Sequence, residues 1–183
     1  MPRVKTSKLK VRRPKRFLSV LRSADTDTFD NKFDDAVEYY RGMVEEGRDD
    51  VPVRGNLEEL LAATPGLSFF YKTIRTDAQQ TRRWLETLLT FQKATKYKWF
   101  QSEEGLREYG ELKTTEIGKY IEANDEIGDL SDAIRVMADC EHQLQDLVEA
   151  FDSRGIMLSK IVDTRNNGNE EVWVDPYRET TNE

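Results

Sequence analysis

Apolar residues recur along this chain at helical spacing, and the elements they predict are helices. Phe33, Val37, Tyr40 and Val44 mark a helix running to about Glu46, where Gly47 is expected to stop it. The stretch 48–55, RDDVPVRG, reads as a linker by its charge, proline and glycine. Asn56 followed by Glu59 has the form of a capping box for a short helix, LEELLAA, which Pro65-Gly66 would end. A long helix then begins near Leu67 or Ser68. Its Ile74, Ala78, Thr81, Leu85, Leu88, Gln92, Thr95 and Trp99 fall on alternating steps of four and three, a heptad seam that is only partly apolar. Residues 101–110, QSEEGLREYG, form a polar connection. A helix resumes near Glu111 and runs to about Glu122, with Leu112, Ile117, Tyr120 and Ile121 inward, and Ala123-Asn124-Asp125 offers a break and a fresh cap.

The last helix is expected to be the longest. Ile127, Leu130, Ile134, Met137, Glu141, Leu144, Val148, Phe151, Gly155, Leu158 and Val162 follow the same alternating steps, and nine of these eleven positions are apolar. So long a seam has little surface to cover it within 183 residues, which suggests an inter-subunit role. A hairpin with the preceding long helix is the competing arrangement, and both can hold at once. Gly155 costs about 1 kcal/mol in a helix interior, so the Ser153-Arg154-Gly155 step predicts a kink or a close helix approach. Asn166-Asn167-Gly168 closes the element. The fold class is therefore all-α, an elongated helical subunit. Its segments are a basic arm (1–24), an acidic helical segment with linker (25–55), a capping helix with a basic aromatic helix (56–110), a helical oligomerisation region (111–168) and an acidic aromatic tail (169–183).

Charge changes this picture because it is unevenly spread. The chain nets −7, yet residues 1–22 hold nine Lys or Arg and no acid, leaving 19 basic against 35 acidic residues elsewhere. Polyanion binding must then be local. The stretch 71–100 holds seven basic residues, Lys72, Arg75, Arg82, Arg83, Lys93, Lys96 and Lys98, against two acids, Asp77 and Glu86. Six aromatics are interleaved with them: Tyr71, Trp84, Phe91, Tyr97, Trp99 and Phe100. A basic helix with aromatics is a track for single-stranded nucleic acid, or else a core helix with a solvated basic face.

Several kinds of chemistry find no support. One Cys (Cys140) and one His (His142) cannot make a four-ligand structural zinc site or an internal disulfide. Cys140 sits beside the seam, where a buried structural thiol is expected. No phosphate-cradling loop, GxGxxG or HExxH occurs. No apolar run approaches a membrane span, and the basic start lacks the apolar stretch of a secretory signal. The expectation is a cytoplasmic non-enzyme (host cytoplasm if phage-encoded) with no cofactor, no metal and no membrane contact.

Three blocks carry a family resemblance: KATKYKWFQSEEG at the end of the basic helix, LKTTEIGKYIEANDEIGDL after it, and DLVEAFDSRGIMLSKIVDTR near the end of the last helix. Over about residues 67–168 the chain resembles the UvsY-type recombination mediators of large tailed phages related to the T-even group. The resemblance implies a homo-oligomeric ring assembled through the last helix, here Ile134, Met137, Leu144, Val148, Phe151 and Leu158. It implies binding of single-stranded DNA without sequence preference, and replacement of the phage single-strand-binding protein on that strand by a RecA-like recombinase. The family's basic pair would fall on Lys96 and either Lys93 or Lys98. The nucleic-acid contacts expected are Lys93, Lys96, Lys98, Arg82, Arg83, Tyr97, Trp99 and Phe100. The first 55 or so residues have no counterpart in that pattern. The alternative from a different class is a helical scaffold or adaptor whose basic helix is a subunit interface.

Overall fold

Asn56 has extended backbone, and its side-chain oxygen accepts the Glu58 N–H at 2.9 Å, starting a helix that does not end for 44 residues. In the structure, a computed structural model, this is α3, Leu57–Phe100. Residues 13–53 and 55–166 are described, without the side chains of Thr26, Asp27 and Asn166; most of the basic arm and the aromatic tail around Trp173 lie outside them. Around α3 stand α1 (Leu18–Arg22), α2 (Thr26–Asp50), α4 (Glu103–Tyr109), α5 (Thr114–Glu122) and α6 (Asp125–Asn166). All elements among the described residues are helices.

The α3 and α6 helices form an antiparallel hairpin. Ser68 meets Asp152, Gln79 and Arg82 meet Glu141, and Lys96 meets Glu126, so position on one helix rises as it falls on the other. At about 1.5 Å per residue, each helix is about 65 Å long. The α6 seam is covered as its spacing predicts: Ile127, Met137, Leu144, Val148, Phe151 and Leu158 are buried, with Leu130, Ile134 and Val162 half-buried. The α3 seam keeps its phase only at first. Ile74, Ala78, Thr81 and Leu85 are buried, but Thr95 and Trp99 face outward while Leu89, Lys96 and Phe100 turn inward. An α-helix drifts about 20° per heptad against a 3.5-residue repeat, and four heptads suffice to move the seam by one residue.

The α2 helix lies in the crevice of the hairpin, running parallel to α6. Ala36, Val37, Tyr40 and Val44 join Tyr71, Ile74, Leu85, Met137, Cys140, Leu144 and Phe151 in the main core. Tyr71 and Phe151 stack with ring centres 5.2 Å apart. A second, smaller core of Ile117, Ile121 and Ile127, packed with Leu89, Tyr97, Phe100 and Leu112, holds α5 against the other end of the hairpin.

Three expectations about helix ends, and one about the facing of a side chain, are corrected. Pro65-Gly66 does not end a helix, because α3 passes straight through it. Pro65 is exposed, and the buried Thr64 hydroxyl beside it donates to the Leu60 carbonyl at 2.6 Å. Gly47 does not stop α2, which continues to Asp50. It is a contact glycine, since a Cβ there would strike Leu147 and come within 2.9 Å of the Tyr71 ring. Residues 103–109 are helical, with Ser102 capping the Gly105 N–H at 3.3 Å. Tyr120 is exposed rather than inward. The helix runs on through Ser153-Arg154-Gly155, where a Cβ on Gly155 would meet Thr64 at an ordinary 3.5 Å.

One buried carboxylate joins the first three elements. Asp77 accepts the Tyr40 hydroxyl at 2.6 Å and the Phe17 backbone N–H at 2.8 Å. Burial first, then Asp77, pushes the Tyr40 phenol far above its ordinary range, so it remains the donor. Phe17 packs on Tyr39 and Tyr40, and the Lys15 N–H donates to the Tyr39 hydroxyl at 3.1 Å. The end of the basic arm is thereby fixed against α2 and α3.

These contacts lead to two stability outcomes. Gly47→Ala should cost about 1–3 kcal/mol in urea denaturation by overpacking, while Gly42→Ala on the same helix, with open space around it, should stabilise by about 0.5–1 kcal/mol. Asp77→Ala, which strands the Tyr40 hydroxyl and the Phe17 N–H, should lose about 2–4 kcal/mol, against about 1–2 for Tyr40→Phe.

Candidate nucleic-acid interface

The basic residues of α3 divide according to what α6 offers them. Arg82 points along the hairpin, with its Nε 2.8 Å from Glu141 and a terminal nitrogen 3.0 Å from Glu86. Glu141 is buried and takes a further hydrogen bond from Gln79 at 2.9 Å. Lys96 is drawn inward to Glu126 at 2.8 Å, and Lys72 binds Asp152 at 2.9 Å. Asp152 also accepts the Ser68 hydroxyl; that bond and Lys72 hold its carboxyl below the usual range. These three cations are tied to acids of their own chain.

Arg83, Lys93 and Lys98 make no ion pair among the described residues. Arg83 and Lys98 are exposed, while Lys93 is half-buried beside Ala94, Tyr97, Gly118, Ile121 and Glu122 around a cavity of about 310 Å³. Phe91 lies between Arg83 and Lys98 on the outward side and is 66% exposed. From Ser68 to Phe100 the acids are Asp77, which is buried, and Glu86, which is held by Arg82. The outward face of α3 is consequently free of unpaired acid. Its neighbours differ: α2 exposes Asp34, Asp35, Glu38, Glu45 and Asp49, and α6 exposes Asp129, Asp132, Asp139, Asp146 and Glu149.

The expected aromatics gather at the end of α3 in a way the sequence does not show. Trp99 and Phe100 meet edge to face at 5.1 Å, and Tyr109 and Tyr120 complete a four-ring cluster with Phe100 at 5.4 and 5.8 Å. Gly105 permits the return of α4 over these rings, since a Cβ there would come within 2.8 Å of the Phe100 backbone. Trp99, Tyr109 and Tyr120 keep an exposed edge, whereas Tyr97 and Phe100 belong to the smaller core. Glu108, above all, raises the Tyr109 phenol above its ordinary value. Phe91, Tyr109 and Tyr120 are missing from the sequence-derived set. The drift of the α3 seam is the signal that would have turned Phe91 outward.

The six residues assigned to subunit assembly sit elsewhere in the structure than on a free surface. Met137, Leu144, Val148 and Phe151 are buried in the main core, Ile134 packs against it, and Leu158 is fully buried. With the helices so arranged, this row faces its own chain. Cys140 is buried, and burial raises its thiol. No group of three or more His, Cys, Asp or Glu among the described residues is placed to hold a metal.

Neighbouring arginines should separate the paired from the free cations. Arg82→Ala leaves Glu141 buried with Gln79 alone and should cost about 1–3 kcal/mol in chemical denaturation, whereas Arg83→Ala should stay within about 0.5 kcal/mol of the parent. Comparison with protein-family models, with curated proteins and with solved structures finds no match to this chain.

Proposed function

We propose that this protein binds single-stranded DNA without sequence preference along the outward face of α3, and acts as a recombination mediator. The observation that supports this reading is the pairing pattern: Arg83, Lys93 and Lys98 make no ion pair among the described residues, Arg83 and Lys98 share with exposed Phe91 a face of α3 on which that helix carries no unpaired carboxylate, and Lys93 lies half-buried to one side against α5. Arg83 and Lys98 stand about 22 Å apart along the helix, room for several phosphates of an extended strand. Phe91, and the exposed edge of Trp99, offer flat apolar surfaces on which bases of any identity can stack. In this reading Arg82 and Lys96 are structural, and Arg83, Lys93 and Lys98 are the cations of the expected set that remain for contact.

In this reading the acidic faces of α2 and α6 repel a strand that strays from α3, so the register across the helix is set by charge. Several subunits in a homo-oligomer would join their weak tracks into one, with affinity arising from linkage of many contacts. Displacement of a single-strand-binding protein and loading of a RecA-like recombinase would result from holding the strand extended with its bases accessible.

The test is fluorescence anisotropy with oligo-dT over a salt series. Three neutralised phosphates per subunit predict a log–log slope of about −2, since each contributes about −0.7 on a single strand. Arg83→Ala/Lys93→Ala/Lys98→Ala should abolish that slope, and Phe91→Ala should weaken binding by about 1–3 kcal/mol. Arg135→Ala, which removes a cation from the acidic face of α6, should leave binding unchanged. Salt-insensitive binding would refute the reading. Loss of assembly by the triple variant, with no DNA bound by the parent, would favour a scaffold instead.

A further inference from the structure

Three exposed apolar side chains share the tip where α4 and α5 fold back on the end of α3. Leu106, Tyr109 and Tyr120 are 42%, 41% and 48% exposed. Leu106 and Tyr109 stand three residues apart on one side of α4. Tyr120 reaches Tyr109 from α5, with ring centres 5.4 Å apart and planes at 62°. The two tyrosines are held from below, because Phe100, packed in the smaller core, meets both rings. Gly105 brings α4 close over the α3 backbone, and Gly110, at φ +74°, turns the chain out of α4 in a conformation that favours glycine.

The charge around these rings is opposite to that of the outward α3 face. Residues 101–112 carry Glu103, Glu104, Glu108 and Glu111 against Arg107 alone. All five are exposed, and none makes an ion pair among the described residues. The α5 helix with its cap adds two of each sign, Lys113 and Lys119 against Glu116 and Glu122, so the excess stays negative. A nucleic acid laid on the tyrosines would bring its phosphates onto these glutamates. Nor does a cation of the chain itself cover the rings. The ring–cation contacts among the described residues are Lys15 with Tyr39 and Arg154 with Phe151, both far from the tip.

We propose that this tip docks an arginine-bearing segment of a partner protein, with a guanidinium against the Tyr109 and Tyr120 rings and its fork received by Glu108. Arginine answers both features of the surface at once. Its flat face stacks on an aromatic ring while its N–H groups bond a carboxylate pairwise, which the point charge of lysine cannot do. Glu108 already stands beside the Tyr109 phenol, so ring and carboxylate lie within reach of one side chain. Leu106 offers apolar surface to whatever flanks the arginine. The seven residues of α4 span about 10 Å, room for one or two arginines rather than a long basic tract.

The proposal does not depend on strand binding by α3. Its test is fluorescence anisotropy with a fluorescein-labelled Gly-Arg-Gly-Arg-Gly peptide titrated with the full chain. The peptide should bind at least threefold more tightly than its Gly-Lys-Gly-Lys-Gly counterpart. Tyr109→Ala/Tyr120→Ala should weaken binding at least fivefold, and so should Glu108→Gln, which leaves every ring in place; circular dichroism checks that both variants keep their helices. Asp34→Asn/Asp35→Asn, on the acidic face of α2, should stay within twofold of the parent. No binding by the parent, equal affinity for the two peptides, or undiminished binding by either tip variant overturns the proposal. So does weakening by the α2 variant, which would reduce the effect to general attraction by acids. Loss of oligo-dT binding in the tyrosine variant would assign the rings to a nucleic-acid strand instead. A light-scattering mass that falls in that variant would assign them to a second copy of the chain, and either result overturns the proposal.

Discussion

A helix of 44 residues has one apolar side to cover over about 65 Å, and only another helix of equal length can cover it. That requirement pairs α3 with α6 and decides most of what else is seen. It places the acids of α6 opposite the bases of α3, so Glu141 and Glu126 take Arg82 and Lys96 into ion pairs. It leaves Arg83, Lys98 and Phe91 exposed on the far side of α3. The candidate interface is thus a remainder of the packing: what α6 cannot contact becomes available to something else.

The α2 helix enters through a different kind of interaction. Its apolar residues fill the crevice, but its position along the hairpin is set by polar contacts at defined points. Tyr40 meets Asp77 in the middle, and Asp50 meets Arg154 at the end. A buried carboxylate with two donors tolerates little sliding, because a shift of one residue would leave charge in the core without hydrogen bonds. The same carboxylate takes the Phe17 N–H, so the register of α2 and the exit of the basic arm are fixed together.

The helical nature of the chain and the α6 seam were legible in the sequence, because a repeat sustained from Ile127 to Val162 averages out local exceptions such as Glu141 and Gly155. The unity of α3 was not. Proline within a helix costs about 3 kcal/mol or more, and residue preference alone divides the helix at Pro65. Here the cost is borne by the contacts that the helix makes on both sides of the proline, including buried Thr64 and Tyr71. Gly47 misled in the opposite way: a residue that ends helices is present because Leu147 and the Tyr71 ring come too close for any other. Of the proposed contacts, charge and aromatic content were readable, but not which cations are free. Arg82 and Arg83 are adjacent and chemically identical; they differ because Glu141, 59 positions away from Arg82, meets one of them.

The division of the apolar interior into two cores gives the molecule two levels of cohesion. The larger joins three long helices around rings and branched side chains, while the smaller depends on three isoleucines and the short α5. Structural units with fewer buried contacts open at lower free energy than the whole. Amide exchange should therefore form a gradient along the hairpin, slow around Tyr71 and Phe151 and faster from Leu89 through Ile127. The end of α3 that bears the aromatic cluster can then rearrange its short helices while the long pair stays closed: a stiff shaft with a compliant tip.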